Sequence, residues 1–195
     1  MRKAIWTAAA LAALLSAAFA EDRMAVRRDA VVKAIERAAP AVVNISTDKI
    51  INRDFFRGWD LFGGPRVAHS LGSGAIFTRD GYAFTNAHVV NQASRIVVRF
   101  LDGSSYEADL VNVDVASDLA VLKISAGRPL PTVVFGRSDD LMVGEKAIAV
   151  GNPFGLENSV TTGVISAARR DIEEEGRVLF RNVLQTDALI NPGNS

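Results

Sequence analysis

Three residues that are far apart in the sequence could together perform acyl transfer. His88 lies in the hexapeptide TNAHVV, Asp118 precedes the apolar run LAVL, and Ser195 follows NPGN. A serine hydroxyl needs a histidine to take its proton, and the histidine needs a carboxylate that fixes its tautomer and stabilises the imidazolium. Taken singly, the three residues are more typical of a structural histidine, a strand-start aspartate and a loop serine. Together they predict a catalytic triad.

The order of these residues narrows the class of hydrolase. The order His, Asp, Ser is that of chymotrypsin-type enzymes, whereas α/β-hydrolases and subtilisins have other orders. The chain also lacks the Gly-x-Ser-x-Gly elbow of α/β-hydrolases. Gly193 has no side chain, so successive backbone N–H groups can curve around a developing oxyanion. We therefore predict an oxyanion hole formed by the backbone amides of Gly193 and Ser195, with Asn194 between them.

Composition excludes several other classes of function. The 195 residues include 22 basic and 22 acidic side chains, so bulk charge does not favour nucleic acid or an anionic membrane. No cysteine is present, which excludes disulfides, thiolate metal sites and a cysteine nucleophile. His69 and His88 are the only histidines, too few for a multi-histidine metal centre. No metal or cofactor is predicted.

The first twenty residues have the three parts of a secretory signal peptide. A basic start is followed by an apolar run over residues 4–17 and by the small-x-small pattern AFA before Glu21. A membrane anchor is the alternative, but the run is shorter than the roughly 20 apolar residues that span a bilayer. Removal would leave 195 − 20 = 175 residues, with 20 basic and 22 acidic side chains and a net charge of −2.

The remaining chain predicts an all-β protein with one short N-terminal helix. The helical segment is 21–40, with an amphipathic helix over 24–38 closed by Pro40. A first β-barrel is expected over 41–125, a connector over 126–131, and a partial second barrel over 132–195. The expected strands cover 41–47, 71–77, 82–85, 95–101, 105–113, 119–124, 146–150, 159–168 and 178–186. The charged stretch 169–176 is predicted to be a solvated loop, and the aromatic-rich loop 50–66 is predicted to pack against another surface.

Five motifs in a fixed order resemble those of the HtrA/Deg family of trypsin-like serine endopeptidases, in its bacterial envelope branch. They extend over nearly all of residues 41–195. The motifs are LGSG at 71–74, DGYAFTNAHVV at 80–90, SDLAVLK at 117–123, VGNPFG at 150–155 and QTDALINPGNS at 185–195.

The resemblance implies both a fold and a set of roles. The fold would be the chymotrypsin-like double antiparallel β-barrel. His88 would be the general base and acid, Asp118 the orienting carboxylate and Ser195 the nucleophile, without metal or cofactor. Substrates would be unfolded or misfolded proteins in the periplasm, cleaved after small or medium apolar residues. The family also implies a trimer-based homo-oligomer with contacts through the loop 50–66, and a regulatory loop at 169–181 that senses a PDZ domain.

The family motif continues beyond its serine with Gly-Gly-Pro-Leu and about three further strands, whereas this sequence ends at Ser195. We therefore expect an incomplete second barrel and no PDZ domain in this chain. Three hypotheses stay open. The chain is a serine endopeptidase, a catalytically inactive fragment that acts as a binding or assembly module through its first barrel and aromatic loop, or a non-functional gene remnant.

Overall fold

The computed structural model describes residues 26–51, 66–152, 159–174 and 176–191 of the chain. The chain divides into two compact units, residues 1–37 and residues 38–195. The predicted signal peptide lies outside the described residues, as do residues 52–65 of the aromatic loop. Among the described helices, none is long and apolar enough to cross a membrane.

The N-terminal helix is shorter than its periodicity predicts. Helix α1 spans Ala30–Ala38, and a 3-10 turn at Ala39–Ala41 containing Pro40 follows it. The side chain of Asp29 accepts a hydrogen bond from the Val32 N–H at 2.9 Å, which satisfies an amide that the first turn leaves open. The helix predicted over 24–38 is interrupted at residues 28 and 29, because Asp29 caps the segment that follows it, and residues 24 and 25 lie outside the described residues.

Six antiparallel strands form the predicted first barrel. Pairing proceeds in the order β1, β2, β3, β6, β5, β4, and β4 pairs with β1 to close the barrel. The strands are β1 (Val42–Ile51), β2 (Arg66–Ile76), β3 (Tyr82–Thr85), β4 (Arg95–Arg99), β5 (Ser105–Asp114) and β6 (Leu119–Ile124). Closure leaves no free edge in this sheet, and the prediction of six strands in a closed antiparallel barrel is confirmed.

The barrel core follows the alternation of apolar and polar residues along the strands. Val43 and Ile45 on β1, Ile76 on β2, Val98 on β4 and Leu122 on β6 are all fully buried. Because side chains alternate between the two faces of a strand, these positions share the inner face of the barrel; on β1 the intervening residues are buried as well. Burial of each such side chain stabilises the fold by roughly 1.5–3 kcal/mol relative to exposure.

The turn between β2 and β3 requires glycine. Gly81 has φ +106°, and a Cβ there would collide with the backbone carbonyl of Ile124. The Gly81 carbonyl accepts a hydrogen bond from the Ile124 N–H at 2.8 Å, so this turn is joined to the end of β6. The sequence RDG therefore forms the hairpin that its composition predicts.

A separate sheet contains the last three strands in the order β7, β8, β9. They are β7 (Lys146–Gly151), β8 (Ser159–Glu174) and β9 (Arg177–Thr186), all antiparallel. The second set of strands is therefore an incomplete sheet within the described residues, as predicted. The domain boundaries themselves stay a prediction.

The charged stretch 169–176 is not the loop that its composition predicts. β8 continues through it to Glu174, and the turn into β9 contains Gly176 at φ +77°. Arg170 donates to the Gln185 side chain at 2.5 Å, and the Asn182 N–H donates to Asp171 at 2.9 Å. Charged side chains are tolerated because these strand positions are exposed, and several register shifts bend the hairpin.

Candidate active site

His88 lies on a one-turn helix that follows β3. Helix α2 spans Ala87–Val90, and its other three residues are buried while His88 is exposed. The apolar side chains of Ala87, Val89 and Val90 pack inwards, so the turn directs the imidazole towards solvent. The sequence AHVV therefore fixes both the helix and the outward orientation of the candidate base.

Two contacts fix this turn on the barrel. The buried hydroxyl of Thr47 donates to the Val89 carbonyl at 3.0 Å. Gly72 on β2 allows Val89 to approach closely, since a Cβ at Gly72 would lie 2.6 Å from the Val89 Cγ2 atom. The first glycine of the LGSG motif thus has a packing role beneath the candidate base.

Asp118 ends the turn before β6 in an unusual backbone conformation. Its φ is +50°, a left-handed conformation that non-glycine residues adopt at a cost. The turn is held by the Asp114 carboxylate, which accepts from the Ala116 N–H at 3.0 Å and the Ser117 N–H at 3.2 Å. The Asp118 N–H donates to the Val115 carbonyl at 3.3 Å.

The structure brings His88 and Asp118 together, as predicted for a catalytic pair. The His88 Nδ1 atom lies 2.8 Å from Asp118 Oδ2, and the His88 N–H donates to Asp118 Oδ1 at 2.9 Å. Both oxygens of the Asp118 carboxylate are therefore hydrogen-bonded to His88. A carboxylate facing Nδ1 favours the tautomer with its proton there, which leaves Nε2 free to accept a proton from a nucleophile.

The surroundings of Asp118 keep it ionised. Burial acts to raise the pKa of this carboxyl, but hydrogen bonds outweigh burial, and the net pKa lies below its usual value. The donors are the backbone N–H and the ring of His88, with a further contribution from the Asn86 side chain. An ionised carboxylate at this position can stabilise the imidazolium that forms when His88 takes a proton.

Asn86 is a residue of this site that the sequence analysis missed. Its Nδ2 atom lies 3.1 Å from the Asp118 Oδ2 atom and 3.1 Å from the Asp118 backbone carbonyl. The Ala87 N–H also donates to that carbonyl, at 3.2 Å. No pattern near Asn86 in the sequence marks this contact, because its partner lies 32 positions away.

The predicted nucleophile and oxyanion hole, Ser195 with Gly193 and Asn194, lie outside the described residues. The described chain reaches residue 191, and the segment before it is joined to β8. The Asp187 side chain accepts from the Val164 N–H at 2.6 Å, and Ala188 is buried. Gly163 permits this packing, because a Cβ there would collide with Asp187 and Ala188.

A cavity of about 260 Å³ lies beside this site, between the first barrel and β7. Its lining includes Val42, Ser73, Phe84, Asn86, Leu119 and Val150. Next to β7, Asn152 is fully buried, and its N–H donates to the Ser73 hydroxyl at 2.9 Å. The carboxamide of Asn152 has no hydrogen-bond partner among the described residues.

A second histidine–aspartate pair lies elsewhere on the barrel. His69 Nδ1 is 2.7 Å from Asp48 Oδ1, and the two residues face each other across β1 and β2. Neither pair is part of a metal-binding group, since the described residues contain no cluster of three candidate ligands.

The chain is similar to known serine proteases. The family model for the trypsin-like peptidase domain matches residues 72–195. The chain is 42% identical over 219 residues to a probable periplasmic serine endoprotease DegP-like from Halomonas elongata, covering 98% of this chain and 44% of the relative. It is 43% identical to serine protease HTRA1 from Xenopus tropicalis, covering 83% of this chain and 33% of that protein.

Solved structures show the same similarity. The HtrA-type protease AlgW with tripeptide superposes with a TM-score of 0.70 at 40% identity, covering 85% of this chain and 48% of that chain. The same protease with decapeptide gives a TM-score of 0.68 at 38% identity, covering 86% and 54%. The chain thus spans less than half the length of these curated relatives.

Proposed function

This chain belongs to the HtrA family of trypsin-like serine proteases with a chymotrypsin-like fold, and we propose that it acts as a serine endopeptidase through Ser195, His88 and Asp118. The main support is the contact of 2.8 Å between His88 Nδ1 and Asp118 Oδ2, which leaves Nε2 of the imidazole free. The order of the three residues along the chain adds to this support.

The proposed reaction proceeds through an acyl-enzyme. His88 Nε2 takes the proton of the Ser195 hydroxyl while the serine oxygen attacks the scissile carbonyl carbon. The amides of Gly193 and Ser195 donate to the oxyanion. His88 then gives its proton to the leaving amine as the C–N bond breaks, and water releases the acyl group by the same steps. Asp118 stays ionised throughout, and the mechanism requires no metal or cofactor.

The substrates we propose are unfolded or misfolded proteins of the bacterial periplasm. The Halomonas relative is named a periplasmic serine endoprotease, and the predicted signal peptide over residues 1–20 directs export to the same compartment. The assembly we propose is a trimer-based homo-oligomer that makes contacts through the loop 50–66. We also propose that residues 169–181, which include the exposed turn between β8 and β9, form a regulatory loop.

A second candidate function is binding of unfolded protein without hydrolysis. The first barrel is closed and has its own core, so it could present a binding surface independently of the nucleophile. Exposed apolar side chains outside this barrel, including Val134, Phe135 and Leu189, favour contact with other polypeptides.

Hydrolysis of an unfolded protein by the purified protein separates these candidates. We expect the wild type to cleave casein while the Ser195→Ala variant, matched for folding by circular dichroism, does not. Retention of casein by both proteins without cleavage would favour the binding function instead. Equal cleavage by wild type and Ser195→Ala would contradict the role of Ser195.

A further inference from the structure

We propose that Asn86 is a positioning residue of the proposed triad, because one –NH₂ group holds both the carboxylate and the backbone carbonyl of Asp118. The inference depends on the proposed function for its consequence in catalysis. The geometry that it describes can be tested without catalysis.

The hydrogen bonds define which way the Asn86 carboxamide faces. Its two neighbours are the Asp118 Oδ2 atom and the Asp118 carbonyl oxygen, both at 3.1 Å. Both neighbours are acceptors, and only the –NH₂ end of the carboxamide offers two donors. One donor group therefore joins the side chain and the main chain of the same aspartate.

Asn86 also departs from the usual role of an asparagine at its position. It is the N-cap residue of α2, where an asparagine side chain commonly accepts from a helix amide. Within the described part of the chain, its side chain makes no such cap. Asp118 Oδ1 accepts from the backbone N–H of His88 instead. Asp118 therefore caps the helix, and the side chain of Asn86 donates to Asp118.

The backbone on both sides of Asn86 is fixed, so its donor group has a defined location. Thr85 pairs with Ala120 across β3 and β6, and the Thr85 hydroxyl donates to the Ser73 carbonyl at 2.9 Å. Helix α2 follows at once. The left-handed Asp118 is thus hydrogen-bonded to a residue that lies directly between β3 and α2.

The consequence for catalysis follows from the orientation of the carboxylate. Asp118 can fix the His88 tautomer only while Oδ2 faces Nδ1. Without the Asn86 donor, rotation about the Asp118 side-chain bonds would compete with that contact. We expect acylation of the nucleophile to slow by roughly tenfold to a hundredfold, the range expected for loss of one hydrogen bond to an ionised carboxylate.

The experiment compares Asn86→Ala with the wild type by NMR and by fluorophosphonate labelling. The protein has only two histidines, so His69 serves as an internal reference for His88. The readouts are the Nδ1–H resonance of His88, the pKa of Asp118 from its carboxyl ¹³C shift, and the labelling rate of Ser195. A matched control is Asn112→Ala, which removes an exposed carboxamide whose Oδ1 accepts only the adjacent Val113 N–H among the described residues.

The expected result is specific to the site. In Asn86→Ala the His88 Nδ1–H resonance broadens or disappears, the Asp118 pKa rises because a donor to its ionised form is lost, and labelling slows, while His69 is unchanged. Asn112→Ala leaves all readouts as in the wild type. A merely structural role for Asn86 would lower thermal stability without moving the first two readouts in folded protein.

Two further outcomes keep the proposals separate. If Asn86→Ala does not fold, the isosteric Asn86→Asp variant replaces the donor with an acceptor and should raise the Asp118 pKa further. A folded Asn86 variant with a wild-type His88 resonance and Asp118 pKa would overturn the inference. Changed NMR readouts in a protein whose Ser195 never reacts would support the geometry and overturn the proposed function.

Discussion

The two histidine–aspartate pairs of this protein look alike by distance and differ in what surrounds them. The contact is 2.8 Å in the His88–Asp118 pair and 2.7 Å in the His69–Asp48 pair. The imidazoles are 64% and 71% exposed and the carboxylates 32% and 34% exposed, so burial does not separate them.

The neighbouring hydrogen bonds do separate them. Asp118 has φ +50°. Its carboxylate accepts hydrogen bonds from the backbone N–H of His88 and from the Asn86 side chain, in addition to its contact with the His88 ring. Asp48 lies within a regular strand. Among the described residues, only the ring of His69 is hydrogen-bonded to its carboxylate. A short distance alone therefore does not define a catalytic pair. The additional donors at the Asp118 carboxylate distinguish the proposed catalytic pair from the other one.

The largest expected effect separates the two imidazoles. His88→Ala should reduce the rate of casein cleavage by roughly a hundred-thousandfold or more, because no base remains to activate Ser195. His69→Ala should leave the rate within about twofold, because its ring has no part in the proposed mechanism. Initial rates measured at equal protein concentration check both values. Comparable losses in the two variants would remove the distinction between the pairs.

Substitution of Asp118 should reduce catalysis far more than substitution of Asp48. Asp118→Asn keeps the shape of the side chain but favours the wrong histidine tautomer, and we expect kcat to fall by roughly a thousandfold to ten-thousandfold. Asp48→Asn is the matched control and should retain wild-type kcat. Steady-state kinetics with a peptide substrate give both numbers. A kcat for Asp118→Asn close to that of the wild type would show that the carboxylate has no orienting role.

A smaller effect is expected from the contact beneath α2. Thr47→Val keeps the volume of the side chain but removes the bond to the Val89 carbonyl, leaving a buried acceptor unsatisfied. The free energy of unfolding should fall by about 1–3 kcal/mol. Urea denaturation measures it, and Thr162→Val at an exposed position of β8 supplies the matched control. Equal stability of Thr47→Val and wild type would show that this bond does not support the turn.

The smallest effect concerns pH and the stability of the Asp118 site. The folded pKa of Asp118 lies below its ordinary value of 3.8, so its contribution to stability is present above that value and is lost as the pH falls through the folded pKa. The stability difference between wild type and Asp118→Asn should therefore stay constant near neutral pH and shrink below about pH 4. Urea titrations at several pH values measure it. A difference that grows on acidification would contradict the direction of the shift.

Most of the first barrel was predictable, because local chemistry there agrees with the tertiary structure. The exceptions are β1 and β2, which are longer than predicted and extend into both ends of the predicted loop 50–66 because they pair with each other there. β6 occupies residues 119–124 as predicted, and the hairpin around Gly81 forms where only glycine fits. The partnership of His88 with Asp118 was also predictable, since the chemistry of serine activation requires both residues. Their loops meet at the end of adjacent strands β3 and β6.

Features that depend on long-range contacts were missed. The Asn86 bond to Asp118 spans 32 positions, and no local pattern marks a carboxamide as a donor to a distant carboxylate. The length of β8 was underestimated because charge favours a loop locally, whereas pairing with β9 provides hydrogen bonds that composition does not reveal. The break in the N-terminal helix at residues 28 and 29 was missed because the apolar periodicity continues past the cap at Asp29.

The most direct test of the account is to locate the fluorophosphonate adduct by peptide mapping of the labelled, folded protein. We predict a single adduct on Ser195 that is absent from Ser195→Ala, strongly reduced in His88→Ala and Asp118→Asn, and unchanged in His69→Ala and Asp48→Asn. A folded wild type without an adduct on Ser195, or an adduct that depends equally on both histidine–aspartate pairs, would contradict the claim that His88 and Asp118 activate this serine.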